Sequence, residues 1–132
     1  MPNDVFNHDH GPVQIEVTRK LVEQDQVLLM AGSIGTPTQL AVQNYLNDRK
    51  IPQIFIATGN SAFYDAKTHP WTIGNSVTTA TEGLLIGKHV AETMAGTKVA
   101  ILYQNDDLGK EYLGGVKAGI GDKAQIVSAV SY

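Results

Sequence analysis

Short unbroken apolar runs alternate along the chain with stretches whose apolar residues recur every three or four positions. The runs are Val27-Leu28-Leu29-Met30, Ile54-Phe55-Ile56 and Val99-Ala100-Ile101-Leu102-Tyr103, the pattern of strands buried on both faces of a parallel sheet. Helical periodicity lies between them. Val13, Val17 and Leu21 share one face of a helix that starts at Pro12, opposite Glu16, Arg19, Lys20 and Glu23, while Leu40, Ala41, Tyr45 and Leu46 stripe a helix opened by Pro37. A third helix runs from N-caps among Asn75, Ser76, Thr78 and Thr79 to about Ala95, with Leu84, Leu85 and Met94 as core positions and Gly96 as its stop; a fourth carries Tyr112, Leu113, Val116 and Ile120. Trp71-Thr72-Ile73 adds a short strand, and Gly121-Asp122 turns the last helix into a strand from Ala124 to Val130. The order α-β-α-β-β-α-β-α-β predicts an α/β fold of parallel sheets with flanking helices, joined by right-handed crossovers.

The loops after the first two runs share a chemistry. Ala31-Gly32-Ser33-Ile34-Gly35-Thr36 and Ala57-Thr58-Gly59-Asn60-Ser61 are small and polar, which lets a ligand approach the backbone, and both follow strands that the alternation makes parallel neighbours. Ligands of open α/β sheets bind beyond the carboxyl ends of the strands, so these two loops are the candidate site. Pro37 presets the first helical turn and makes Thr36 the expected N-cap, which sets the amides of Gly35 and Thr36 beside a helix N-terminus that attracts an anion. Hydroxyls on Ser33, Thr36, Thr58 and Ser61 supply donors and acceptors. Strand, polar exit and helix occur at Val27 to Asn47 and again at Val99 to Ile120. This self-similarity fits two lobes, residues 1–75 and 76–132, as well as it fits one flavodoxin-like sheet.

Composition narrows the function. A chain of 132 residues with 42% hydrophobic and 17% charged content is globular, and a formal charge of −3 with only ten Lys and Arg is the wrong balance for a nucleic-acid binder. Cysteine is absent, which removes thiolate metal sites and cysteine nucleophiles. Neither a membrane-length apolar run nor a secretory signal is present, so the chain as written is expected to stay in the cytoplasm.

Catalytic patterns are approached and missed. Gly59-Asn60-Ser61-Ala62-Phe63 starts like a nucleophile elbow but puts Phe63 where the closing glycine belongs. No Gly-Lys-Ser/Thr follows Gly32–Thr36, so that loop is not a nucleotide P-loop. Asp106 and Asp107 precede a helix and read as cap and macrodipole partner rather than as an acid/base pair. His8-Asp9-His10 lacks further ligands at a zinc spacing, and its terminal position reads as a solvated end. No cofactor, metal or catalytic residue is expected; binding without chemistry remains.

Three stretches resemble a family. TRKLVEQDQVLLMAGSIGTPTQLAVQNYLNDRKIPQIFIATG, PWTIGNSVTTATEG and VAILYQNDDLGKEYLGGVKAGIGDKAQIVSAVSY are similar, in loops as well as strands, to the type I periplasmic binding proteins of the branched-chain amino acid (leucine/isoleucine/valine) ABC transporters. The resemblance implies part of a two-lobed, hinge-closing receptor that hands a branched-chain or related amino acid, or another small carboxylate, to a membrane permease in the periplasm. It implies that Ser33, Gly35 and Thr36 hold the ligand's carboxylate, that Ala57, Thr58, Gly59 and Asn60 meet its ammonium group, and that Leu108, at a position usually aromatic in the family, covers its side chain. Members are more than twice as long. The chain thus resembles an internal segment, without the first strand-helix unit, the signal, most of the second lobe and the acidic ammonium partner, and an unpaired strand edge at Val27 to Met30 implies self-association. Two other classes share the architecture: a flavodoxin-like hydrolase using Ser61 or Asp106, and an effector-binding sensor.

Overall fold

The computed structural model describes residues 11–132; His8-Asp9-His10 lies outside them. The chain is α/β and forms two compact units, the first comprising the described residues up to Thr58 with Ala62–Ser76, the second Gly59–Ser61 with Val77–Tyr132.

Unit 1 contains α1 (Gly11–Glu23), β1 (Met30–Ala31), α2 (Thr36–Asp48), β2 (Gln53–Ile56) and β3 (Thr72–Gly74), the strands forming one parallel sheet in the order β1-β2-β3. The first strand is shorter and later than the run Val27 to Met30 suggests. The N–H groups of Gln24, Asp25 and Val27 still donate to Lys20 and Leu21 at the end of α1, and Gln26 turns the chain at a positive φ. Leu28 is therefore left 83% exposed, and only Met30 and Ala31 pair with β2, at Gln53 and Ile54. Within β2, Phe55 is not buried either. It is the extra residue of a bulge, at φ 56°, between Ile54, which pairs with Ile73, and Ile56, which pairs with Gly74 and is fully buried.

The helices of unit 1 bury the apolar stripes only in part: Leu46 is fully buried, but polar residues take much of the buried side. Thr18 is the buried residue of α1, and Val13 and Val17 face water. On α2 the buried set is Thr36, Gln39, Val42, Gln43 and Leu46; Ala41 is exposed and Tyr45 lies at the surface between Arg19 and Arg49, whose guanidinium carbons stand 5.7 and 4.0 Å from its ring. Two constraints account for this. A chain of polar side chains runs beside buried Val42 and Leu46 under α2: Gln53 donates to the Gln39 side chain at 3.1 Å, Thr72 to Gln53 at 3.3 Å, and Asn47 to Thr72 at 2.7 Å. Each buried polar group meets another, so burial costs little. The Tyr45 hydroxyl, raised in pKa by burial and by its bond to Glu23, needs the rim rather than the core.

Unit 2 holds α3 (Thr79–Thr93), β4 (Lys98–Tyr103), α4 (Asp107–Ile120) and β5 (Gln125–Ser131), with β4 and β5 paired in parallel. Thr78 caps α3 through the Thr81 amide, and Asp106 caps α4 through the Gly109 amide at 2.9 Å, the role its sequence suggests. The helices cross backbone to backbone. A Cβ on Gly83 or Gly87 would stand 2.5 Å from the Tyr112 carbonyl oxygen or 2.4 Å from that of Val116; one on Gly115 or Gly119 would stand 2.4 Å from the oxygen of Ala80 or 2.3 Å from that of Leu84. Glycine, not leucine, makes this contact: Leu85 and Met94, expected in the core, are 59% and 51% exposed.

Candidate functional site

In unit 1 the exits of β1 and β2 are stitched together. Ile34 and Ala57 form a parallel bridge beyond the strands, and the Ala57 N–H donates to the Ser33 carbonyl at 2.8 Å. Both loops therefore leave the same edge of the sheet. Gly35, at φ 100° and ψ 128°, makes the corner into α2 and has no room for a Cβ, which would lie 2.8 Å from the Thr38 hydroxyl. It is Gly35 rather than Thr36 that occupies the N-cap, and no side chain caps the helix. Thr36 is free for another partner: its hydroxyl and that of Thr58 share a hydrogen bond of 2.5 Å, with both residues buried. The Thr38 hydroxyl turns back to the carbonyls of Ile34 and Gly35, each at 3.2 Å.

This corner is suited to an anion. No acidic residue occupies the first turn of α2, so the partial positive charge of its unsatisfied amides is not cancelled locally. The pair Thr36–Thr58 offers hydroxyl groups that donate or accept as a ligand requires. Asp65, whose carboxyl is held below its ordinary pKa by hydrogen bonds from Thr68 and from the Lys67 amide, belongs to the loop before β3 and organises that loop instead.

Unit 2 carries Gly59, Asn60 and Leu108. Gly59 accepts a hydrogen bond from the Thr79 amide at 2.7 Å and Asn60 is buried. Leu108 lines a recess of about 370 Å³ with Thr79, Tyr103, Tyr112 and Tyr132, so aromatic rings stand around the aliphatic residue. The division of the candidate residues is thus Ser33, Gly35, Thr36, Ala57 and Thr58 in one unit and Gly59, Asn60 and Leu108 in the other. Sequence reasoning passed over Thr79 and the three tyrosines. A threonine at the start of a helix signals a cap before it signals a loop anchor, and tyrosines spaced by nine and twenty residues show no period.

Among the described residues no helix is long and apolar enough to cross a membrane. No curated protein matches the chain in sequence. Solved structures do match in fold. A branched-chain amino acid ABC transporter protein from Thermus thermophilus with bound valine superimposes with a TM-score of 0.81 at 15% identity, over 96% of this chain and 33% of that one. A solute-binding protein of an ABC transporter from Rhodopseudomonas palustris in complex with benzoate gives 0.79 at 18% identity, over 92% and 34%. Another from the same species, strain BisB5, in complex with 3,4-dihydroxybenzoic acid, gives 0.77 at 21%, over 92% and 33%. The chain thus spans about a third of the length of these structures. The family model described as periplasmic binding protein matches residues 10–132, and with it the chain belongs to the type I periplasmic binding proteins, the branched-chain amino acid family.

Proposed function

We propose that the chain is a ligand-binding segment of an ABC-transporter solute receptor for a small carboxylate, an amino acid such as valine or an aromatic acid such as benzoate. The observation that carries this reading is the joined pair of loops at the head of α2, where the Thr36–Thr58 hydroxyl pair lies beside uncancelled helix amides. Ser33, Gly35 and Thr36 take the carboxylate. Ala57, Thr58, Gly59 and Asn60 take the group next to it, and Leu108 with its tyrosine neighbours contacts the apolar body. Such a receptor performs no chemistry on its ligand and needs no cofactor. Its partner is the permease of the importer and its working place the periplasm, as for the family. The resemblance is to branched-chain amino acid receptors, but similar folds hold benzoate and 3,4-dihydroxybenzoic acid as well as valine, so the carboxylate is common to the candidates and the side chain is not.

Calorimetric titration with leucine, valine, benzoate and 4-hydroxybenzoate, each beside the corresponding amide, which lacks the carboxylate charge, tests the reading. At least one acid binds, with a Kd of about 0.1–1 mM if one carboxylate subsite and partial apolar cover supply about 4–5.5 kcal/mol, and its amide does not. Equal binding of acid and amide, or no binding of any acid, overturns it.

A further inference from the structure

The segment Gly59–Ser61 is pinned from two elements of unit 2. At one end, the Gly59 carbonyl accepts from the Thr79 amide at 2.7 Å and from the Thr79 hydroxyl at 3.3 Å. The backbone packs so closely there that a Cβ on Gly59 would stand 2.7 Å from the Val77 carbonyl oxygen. At the other end, the Ser61 N–H points between the two carboxylate oxygens of Glu111, at 3.0 and 3.2 Å. Glu111 lies in the second turn of α4, and its base is itself firmly placed. Gln104 donates to Asp106 at 2.9 Å, Asp106 caps the helix, and a Cβ on Gly109 would stand 2.0 Å from the Gln104 carbonyl oxygen. Among the described residues no lysine or arginine pairs with Glu111, so its charge is not spent on a surface ion pair. Asn60, 6% exposed, sits between the two pins.

We propose that Glu111 is a positioning residue for ligand binding: its carboxylate clamps the Ser61 amide and thereby fixes Gly59 and Asn60 in the conformation that receives the ligand, which Glu111 does not touch. A hydrogen bond to an ionised acceptor is stronger and more directional than one to water, so the clamp lowers the number of loop conformations that the ligand must select. This inference rests on the reading of Gly59 and Asn60 as ligand residues.

The test uses the isotope-labelled full chain, with benzoate and valine as probes, and the variants Glu111→Gln, Glu111→Ala and Ser61→Pro. The proline removes the N–H that Glu111 accepts, at the first position of the 3-10 turn Ser61–Tyr64, the place in a helical turn where proline is best accommodated. Without ligand, both Glu111 variants shift the Ser61 amide resonance and speed its hydrogen exchange. With the probe that binds wild type, each single variant weakens binding about tenfold. Glu111→Gln combined with Ser61→Pro is no worse than either alone, because both break one interaction. The urea midpoint falls by no more than the equivalent of that tenfold change, about 1.4 kcal/mol, whereas a general loss of packing lowers it further. Wild-type affinity in the Glu111 variants, additive losses, or tighter binding in Glu111→Ala overturns the inference, the last by making the carboxylate a competitor of the ligand. If wild type binds neither of these probes, leucine or 4-hydroxybenzoate takes their place, and if it binds none of the four acids the receptor reading fails and this one with it.

Discussion

A buried hydroxyl pair is most demanding when neither partner can turn to water. Thr36 is 2% exposed and Thr58 is 8% exposed, and they meet at 2.5 Å where the two loops leave the sheet. Thr36→Val keeps the shape and removes one oxygen and with it the bond to Thr58; a loss of about 0.5–1.5 kcal/mol in unfolding free energy, the net worth of one hydrogen bond, follows. Thr36→Ser restores the bond with one methyl fewer and should recover most of the stability. Urea unfolding of the two variants checks this, and equal midpoints would show that the pair contributes nothing. The loops themselves were legible from their small polar residues, and Pro37 correctly announced a helix. The assignment of Thr36 as cap was not correct, because capping statistics describe a helix end in solvent, and here a second hydroxyl from β2's exit outcompetes the helix's own amides. Phe55 fails for a related reason: a run of three apolar residues carries no sign of a bulge.

Helices as elements follow from periodicity, whereas the faces they bury depend on what lies opposite. Of the α2 stripe of Leu40, Ala41, Tyr45 and Leu46, Leu46 is buried as a core residue, yet the rest of the buried side carries Gln39 and Gln43, because Gln53 donates to the Gln39 side chain and the Gln43 side chain donates to the Ala62 carbonyl. A sequence shows one half of such a network at a time. The α3–α4 crossing was hidden differently. Gly83, Gly87, Gly115 and Gly119 repeat at intervals of four on two separate helices, and only their juxtaposition turns helix-weakening residues into a contact. Glycine offers a direct comparison here. Gly87→Ala pushes a methyl against the Val116 carbonyl at 2.4 Å and forces the helices apart, lowering stability by about 1–3 kcal/mol. Gly114, next to Gly115 in sequence but exposed, has nothing within 4 Å of an added Cβ, and Gly114→Ala should raise stability by about 0.5–1 kcal/mol through helix propensity alone. Thermal unfolding of both reads the sign. Two variants that move in the same direction would mean that the crossing is not close.

At the scale of the whole molecule, apolar side chains remain on the outside of both sheets. In unit 1, Ile34 is 76% exposed and Ile73 52%, in addition to Leu28 and Phe55. In unit 2, Leu102 and Val130 are register partners across β4 and β5 and so stand side by side on one sheet face, 70% and 54% exposed, with Ala100 and Ser128 in the row before them. Side chains of this kind scattered singly need no explanation, but a paired row on a two-stranded sheet is a surface that water leaves readily. The sheet also offers unpaired strand edges, which template further pairing. The 132-residue chain is therefore expected to associate with itself in a concentration-dependent manner through the β4–β5 face. Leu102→Lys places a charge in the middle of that row without altering either helix. It should move the association to concentrations at least about tenfold higher, the equivalent of about 1.4 kcal/mol. Light scattering and sedimentation over a concentration series, for wild type and Leu102→Lys, measure this. A wild-type chain that stays monomeric at every concentration would show that the exposed row does not drive association, and wild-type behaviour in Leu102→Lys would place the contact on the sheet of unit 1 instead, where Ile34 and Ile73 are the residues to charge next.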